Sequence, residues 1–140
     1  MTNKSPTTTT QGATLLECRR FHVVEVTTVS PGSEARRREV VRHPGSVVIL
    51  PLVDENHVCL IRNYRPSVQK TLIELPAGTL EPDEPPRETA VRELIEETGY
   101  RCQTIVELHG FYAAPGILDE RMHFFVASGL SAGATAREPG

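Results

Sequence analysis

Tryptophan is absent from these 140 residues, and four Phe and three Tyr are the only aromatic side chains. Any stacking of a planar ring on this chain therefore falls to one of those residues or to an arginine. Cysteine is scarce too: Cys18, Cys59 and Cys102 lie far apart, with no CxxC pair. An odd number of thiols without ligand spacing argues against a disulfide framework and predicts reduced, mostly buried cysteines in a cytoplasmic protein. No long apolar run exists. The longest, Val47 to Val53, is far short of the roughly 20 residues that a membrane-spanning helix needs. No charged start followed by an apolar stretch and a small-residue cleavage site is visible, so no secretory signal is expected. A basic excess is also missing: 15 Lys and Arg against 18 Asp and Glu give a net charge of -3. That balance argues against a nucleic-acid partner. The length predicts one domain, soluble and slightly acidic.

Residues 1–14 carry a threonine run and almost nothing apolar. Such a segment buries too little surface to offset its ordering entropy, so a disordered tail is expected. From Leu15 to Val29 β-branched residues mix with polar ones up to the turn cluster Ser30-Pro31-Gly32-Ser33. Arg37 to His43 returns as its partner, which predicts an N-terminal antiparallel β-hairpin over 15–43. Val47 to Leu52 is a near-continuous apolar run, as in a strand covered on both faces. His57–Tyr64, Thr71–Leu75, Cys102–Tyr112 and Met122–Ala127 read as further strands. Residues 131–140, rich in Ala and Gly, are expected to form a loop or a truncated end.

One segment reads as a helix. Pro85 and Pro86 suit a first turn, where a missing N–H costs nothing, and Asp83 and Glu84 complement the positive helix start. Glu88 to Thr98 contains no Gly or Pro, and Gly99 supplies the stop. Strands on both sides of a helix predict an α+β layered domain over 44–130. Ala90, Val91, Leu94 and Ile95 fall on one side of that helix, and Glu93, Glu96 and Glu97 on the other, close enough to be neighbours. Crowded like charges cost a few tenths of a kcal/mol per pair in water. A hard cation such as Mg²⁺, which takes oxygen ligands, reverses that sign. On glutamate spacing alone, a solvated acidic face is the simpler reading.

The residues around the carboxylates extend the pattern. Gly78, five residues, Glu84, seven residues and then Arg92-Glu93-Leu94-Ile95-Glu96-Glu97-Thr98-Gly99-Tyr100 resemble the Nudix box, G-x5-E-x7-R-E-U-x-E-E-x-G-U, with U an apolar residue. All seven fixed positions match, against a chance of about one in a million in a chain of this length. The resemblance implies a Nudix-type mixed β-sheet layered with helices. It also implies metal-dependent hydrolysis of a nucleoside diphosphate linked to another moiety, with Mg²⁺ as cofactor and Mn²⁺ as the alternative. The metal ligands it implies are the Ala77 carbonyl, Glu93, Glu96 and Glu97. Glu96, Glu97 and Arg92 form the implied catalytic set, in which Arg92 pairs with Glu84 and orients a carboxylate.

Outside the box, Leu50-Pro51-Leu52, Leu60-Ile61-Arg62-Asn63-Tyr64-Arg65-Pro66 and Glu74-Leu75-Pro76-Ala77-Gly78 resemble the ADP-ribose pyrophosphatase branch. So does Pro115, sixteen residues after Gly99. The substrate implied is ADP-ribose, split to AMP and ribose 5-phosphate, contacted by Arg65, Arg42, Glu39 and Pro115. Without tryptophan, stacking of adenine falls to Phe21, Phe111, Tyr64, Tyr112 or an arginine. GDP-mannose or another nucleotide sugar, an oxidised nucleoside triphosphate, and a non-hydrolytic nucleotide-binding module are the alternatives. The branch also implies a homodimer through 15–43, with no nucleic-acid or membrane partner. Proteins of this branch continue past the strand that matches Met122–Ala127 with a strand, a helix and a loop carboxylate. The C-terminal part is therefore expected to be missing, because Glu138 is the only carboxylate after Glu120.

Overall fold

The computed structural model describes residues 7–133. The elements run β1 (Thr8–Glu17), β2 (His22–Val29), β3 (Arg36–Arg42), β4 (Ser46–Pro51), β5 (Ile61–Arg65), β6 (Lys70–Glu74), β7 (Ala77–Thr79), α1 (Pro86–Thr98), β8 (Tyr100–Arg101), β9 (Thr104–Tyr112), β10 (Arg121–Ser128) and β11 (Ser131–Ala132). The chain divides into two compact units, Met1–Pro44 with Tyr112–Glu120, and Gly45–Phe111 with Arg121–Gly140.

The second unit is built around β4. Its run Ser46-Val47-Val48-Ile49-Leu50-Pro51 pairs with β10 in parallel and with β7 antiparallel, within a sheet of order β7-β4-β10-β9. Strands hemmed in on both edges and faces carry continuous apolar sequence, and Val47 and Ile49 are fully buried. Helix α1 lies on this sheet. Ala90 and Leu94 reach into a core of Val47, Ile49, Ile105, Phe125 and Ala127, with Val91 packed at its margin. Pro85 and Pro86 open the helix as their missing N–H groups predict. Gly99 closes it in the left-handed conformation (φ 75°), its N–H bonded to the Ile95 carbonyl at 2.8 Å. Strands β5 and β6 form a separate two-stranded hairpin, Ile61 opposite Glu74 and Arg65 opposite Lys70.

The first unit is a three-stranded antiparallel sheet, β1-β2-β3, with Val24 and Val26 buried. Here the expected boundaries shift. Residues 8–14, expected to be loose, form the start of β1 along β2, with Thr8 opposite Val29 and Thr10 opposite Thr27. Every residue of β1 is exposed, so burial does not hold the strand. Backbone pairing and the fit of β-branched threonines to an extended chain do. The reading of Leu15–Val29 as one strand is corrected by a tight turn, in which the Cys18 N–H bonds the Phe21 carbonyl at 2.9 Å.

His57–Leu60, expected as strand, is tied instead to the end of β4, the Cys59 N–H donating to the Pro51 carbonyl at 3.0 Å. The cysteines are free as expected, but none is fully buried: Cys18 is exposed, and Cys59 and Cys102 are half-buried. Ser131–Ala132, placed in the expected loop, pairs with β8. Residues 134–140, including Glu138, lie outside the described residues.

Leu94→Ala is expected to lower the unfolding free energy by about 2–5 kcal/mol, as for a fully buried leucine. Arg87→Ala, on the exposed side of the same helix, should change it by less than about 0.5 kcal/mol. Urea denaturation of the two variants checks the assignment, and equal losses contradict it.

Candidate active site at the strand β7 to helix α1 junction

Strand β7 runs beside β4, with Gly78 opposite Val47 and Ala77 opposite Val48. Leu80 is held by a hydrogen bond from its N–H to the Gly45 carbonyl at 3.0 Å. The chain then loops through Asp83, which adopts a positive φ of 62°, and enters α1. This route brings the second turn of the helix down onto Gly78. A Cβ added there would lie 2.0 Å from the carboxyl carbon of Glu93, closer than any side chain allows. Gly78 is thus a glycine because the Glu93 carboxylate rests on its backbone.

Glu93 is not on a solvated face. Its side chain is only 13% exposed, whereas that of Glu96 is 49% exposed. Burial pushes the Glu93 carboxyl above the ordinary glutamate range. Hydrogen bonding and the charge of Arg92 oppose the shift, and the charges of Glu97 and Glu96 add to it. Arg92 binds three carboxylates. Its Nε and Nη2 donate to Glu84 at 3.1 and 2.9 Å, a two-pronged contact, while Nη1 donates to Glu93 at 2.8 Å and to Glu96 at 3.4 Å. The Arg92 contact holds the Glu84 carboxyl below its ordinary range, and Arg92 is held firmly protonated, chiefly by Glu84. Oε2 of Glu97 accepts the Ala77 N–H at 2.9 Å.

These placements gather Ala77, Glu84, Arg92, Glu93, Glu96 and Glu97 at one junction. The oxygens of Ala77, Glu93, Glu96 and Glu97 are the donor type that a hard divalent cation takes. In that respect the residues fit such a cation. As arranged, Arg92 and the Ala77 amide hold part of that oxygen set. Among the described residues, no three His, Cys, Asp or Glu side chains already converge as a cage.

Arg65 belongs to the same unit. Its guanidinium grips Glu74 through Nε at 2.9 and 3.1 Å and Nη2 at 2.6 Å. Glu74 is the main cause of its raised pKa, and the charge of Glu97 contributes to it. The sequence places Glu74 in the stretch leading into the box but gives it no role and no tie to Arg65. The hairpin register explains the contact, because alternate residues Ile61, Asn63 and Arg65 share one face with Glu74 and Leu72.

Arg42 and Pro115 lie together in the first unit. They line a cavity of about 230 Å³ with Val40, Tyr112, Gly116, Ile117, Leu118 and Asp119. Arg42 Nη1 donates to Asp119 at 3.0 Å, and the His43 N–H donates to the same carboxylate at 2.8 Å. Arg42 Nε is buried without a partner. Glu39, three residues back in β3, falls on the opposite face of the strand and is exposed. Asp119 was not legible in sequence, being 77 residues from Arg42. Of the ring-stacking candidates, Phe21, Tyr64, Phe111 and Tyr112 are all exposed. Two histidines make surface pairs, His57 with Asp54 and His123 with Glu107.

Gly78→Ala is expected to expel Glu93 from its seat and to lower the thermal midpoint by several degrees, as overpacking of about 1–3 kcal/mol does in a domain of this size. Gly116→Ala, whose Cβ meets nothing within 4 Å, should leave the midpoint within a degree or two. Thermal melts of both variants check this, and equal midpoints contradict the close approach.

Known proteins resemble this chain in sequence and in fold. A methanol dehydrogenase activator of Bacillus methanolicus is 46% identical over 101 residues, covering 72% of this chain and 55% of that protein. An ADP-ribose pyrophosphatase of Bacillus subtilis is 43% identical over 101 residues, covering the same shares. The chain thus spans about half the length of these curated relatives. The crystal structure of an ADP compounds hydrolase superposes with a TM-score of 0.82 at 25% identity, covering 100% of this chain and 77% of that one. Among the described residues, no helix is long and apolar enough to cross a membrane. Residues 42–139, with the entire strand–loop–helix junction inside them, match the NUDIX domain model, and the chain belongs to the Nudix family.

Proposed function

We propose that this chain is a hydrolase that cleaves the diphosphate of ADP-ribose with water, giving AMP and ribose 5-phosphate. The observation that carries this reading is the gathering of Glu93, Glu96, Glu97 and the backbone of Ala77 at one junction, with Glu93 seated on Gly78. The names of the Bacillus subtilis relative and of the superposed hydrolase support the substrate. The Ala77 carbonyl, Glu93, Glu96 and Glu97 are proposed to hold a divalent cation, Mg²⁺ in the first instance and Mn²⁺ as the alternative. When bound there, such a cation supplies neutralisation of the diphosphate and a more acidic attacking water.

The protein's own residues do the rest. Before a cation binds, Arg92 fixes the orientation of Glu93 through a charge-assisted hydrogen bond. Glu96 or Glu97 accepts a hydrogen bond from the attacking water and orients it. Arg65, already near the charge of Glu97, grips a phosphate oxygen with its planar fork. Arg42 and Pro115, on their shared cavity, and Glu39 are proposed as further substrate contacts. A cytoplasmic homodimer belongs to the same reading, and the exposed Leu15 and Leu16 of β1 support the N-terminal sheet as its surface.

A panel of ADP-ribose, GDP-mannose and other nucleotide sugars, with analysis of the phosphate products, tests the substrate. AMP from ADP-ribose as the fastest product is expected, and a faster nucleotide sugar overturns the choice of ADP-ribose. Excess chelator should abolish turnover, and undiminished turnover there contradicts the metal site. Glu97→Gln should lose at least about two orders of magnitude in kcat while remaining folded, the scale of removing one transition-state stabiliser. Arg65→Ala should raise KM more than it lowers the thermal midpoint. An unchanged KM in the folded variant makes Arg65 an ordinary surface residue.

A further inference from the structure

We propose that Arg92 is a built-in cation that competes with the divalent cation for Glu93 and Glu96, and that Glu84 is the positioning residue that decides the competition. This rests on the metal site proposed above and adds to it how that site is regulated from within. The observations are geometric. Arg92 Nη1 lies 2.8 Å from Glu93 and 3.4 Å from Glu96, so one nitrogen takes an oxygen from each of two proposed ligands. Its Nε and Nη2 take both oxygens of Glu84, which is not in the proposed ligand set.

Among the described residues, only Glu84 engages Arg92 through two parallel hydrogen bonds, the geometry that a planar guanidinium favours. The guanidinium is therefore anchored on its Glu84 edge and reaches the ligands with the remaining nitrogen. When a divalent cation takes Glu93 and Glu96, Nη1 gives up those two contacts and Arg92 stays charged and paired at Glu84. Through the exchange Glu93 and Glu96 keep a positive partner, because one leaves as the other arrives. Gly78 limits the movement. With the Glu93 carboxylate lying on its backbone, Glu93 keeps its place while its partner changes.

Two roles predict different numbers. If Arg92 and Glu84 only brace the loop against the helix, removing either one breaks the same brace and weakens cation binding in both cases. If Arg92 competes, Arg92→Gln removes the competitor, and Glu84→Gln releases the competitor onto Glu93 and Glu96. The measurement is Mn²⁺ affinity of the full chain without substrate, by electron paramagnetic resonance of the free ion. Arg92→Gln is expected to tighten Kd at least about fivefold and Glu84→Gln to weaken it at least about fivefold, the lower range of ordinary coupling between two binding events.

The double variant excludes a through-space charge effect of Glu84 itself. With Arg92 already replaced, Glu84→Gln should change Kd by less than about twofold, since the two residues act as one unit. Additive shifts in the double variant, or single shifts in the same direction, overturn the proposal while leaving the metal site standing. No Mn²⁺ binding by the unaltered chain overturns the metal site and the competition together.

A second measurement needs no variant. In a Mg²⁺ titration followed by nuclear magnetic resonance, the Arg92 side-chain nitrogen signals should move in step with the Glu93 carboxyl carbon. The Glu84 carboxyl should stay nearly still. A stationary Arg92 signal while Glu93 moves also overturns the proposal.

Discussion

A glutamate carboxylate pressed onto the backbone of a glycine is the contact from which the rest of the junction follows. Glu93 reaches Gly78 only because β7 is pinned beside β4 and α1 is packed on the same strand through Ala90 and Leu94. The half-buried carboxylate then needs a positive partner, since burial without one disfavours its charge. Arg92 supplies it and in turn needs Glu84 to fix its plane. Apolar packing, backbone pairing and charge are thus linked in one short stretch. A change to any of the three is felt by the others.

The helix carries a cost for its chemistry. Glu96 and Glu97 sit in the last turn of α1, which has no basic residue, at the negative end of the helix dipole. Acidic groups there are unfavourable by roughly 0.3–1 kcal/mol each, and their proximity to Glu93 adds repulsion. A helix selected for stability alone places lysine or arginine in that turn. Local rules of this kind are broken where function requires it, and the compensation here is partial: an arginine for two of the carboxylates and the Ala77 amide for the third. In the first unit Asp119 plays a comparable organising role. It holds Arg42 and the His43 amide, while the Val41 N–H bonds the Ile117 carbonyl at 2.9 Å, fastening the 112–120 segment to β3.

The helix and its box were readable in sequence because their signals are local: two prolines at the start, a glycine at the end, and carboxylates at helical spacing. The continuous apolar run of β4 was equally plain. The pairing of Arg92 with Glu84 also followed from the resemblance and is present. What escaped has a common physical cause. The burial of Glu93 depends on Gly78, fifteen positions away and on another element. Glu74 meets Arg65 only through hairpin register, and Asp119 meets Arg42 across most of the chain. Strand β1 escaped because it is held by main-chain hydrogen bonds, which composition does not report. An arginine is easily read as a ligand for substrate from sequence. Whether an internal carboxylate already holds it is decided only by tertiary structure.

Burial raises the Glu93 carboxyl above the ordinary glutamate range, while Glu84, joined to Glu93 through the Arg92 guanidinium, is held below it. The direct measurement is the titration of both side chains by carboxyl ¹³C nuclear magnetic resonance in the full chain, without added divalent cation. The account predicts that Glu93 titrates above the ordinary glutamate value of about 4.3 and Glu84 below it. Two carboxyls titrating together at the ordinary value, or Glu84 titrating above Glu93, would contradict it.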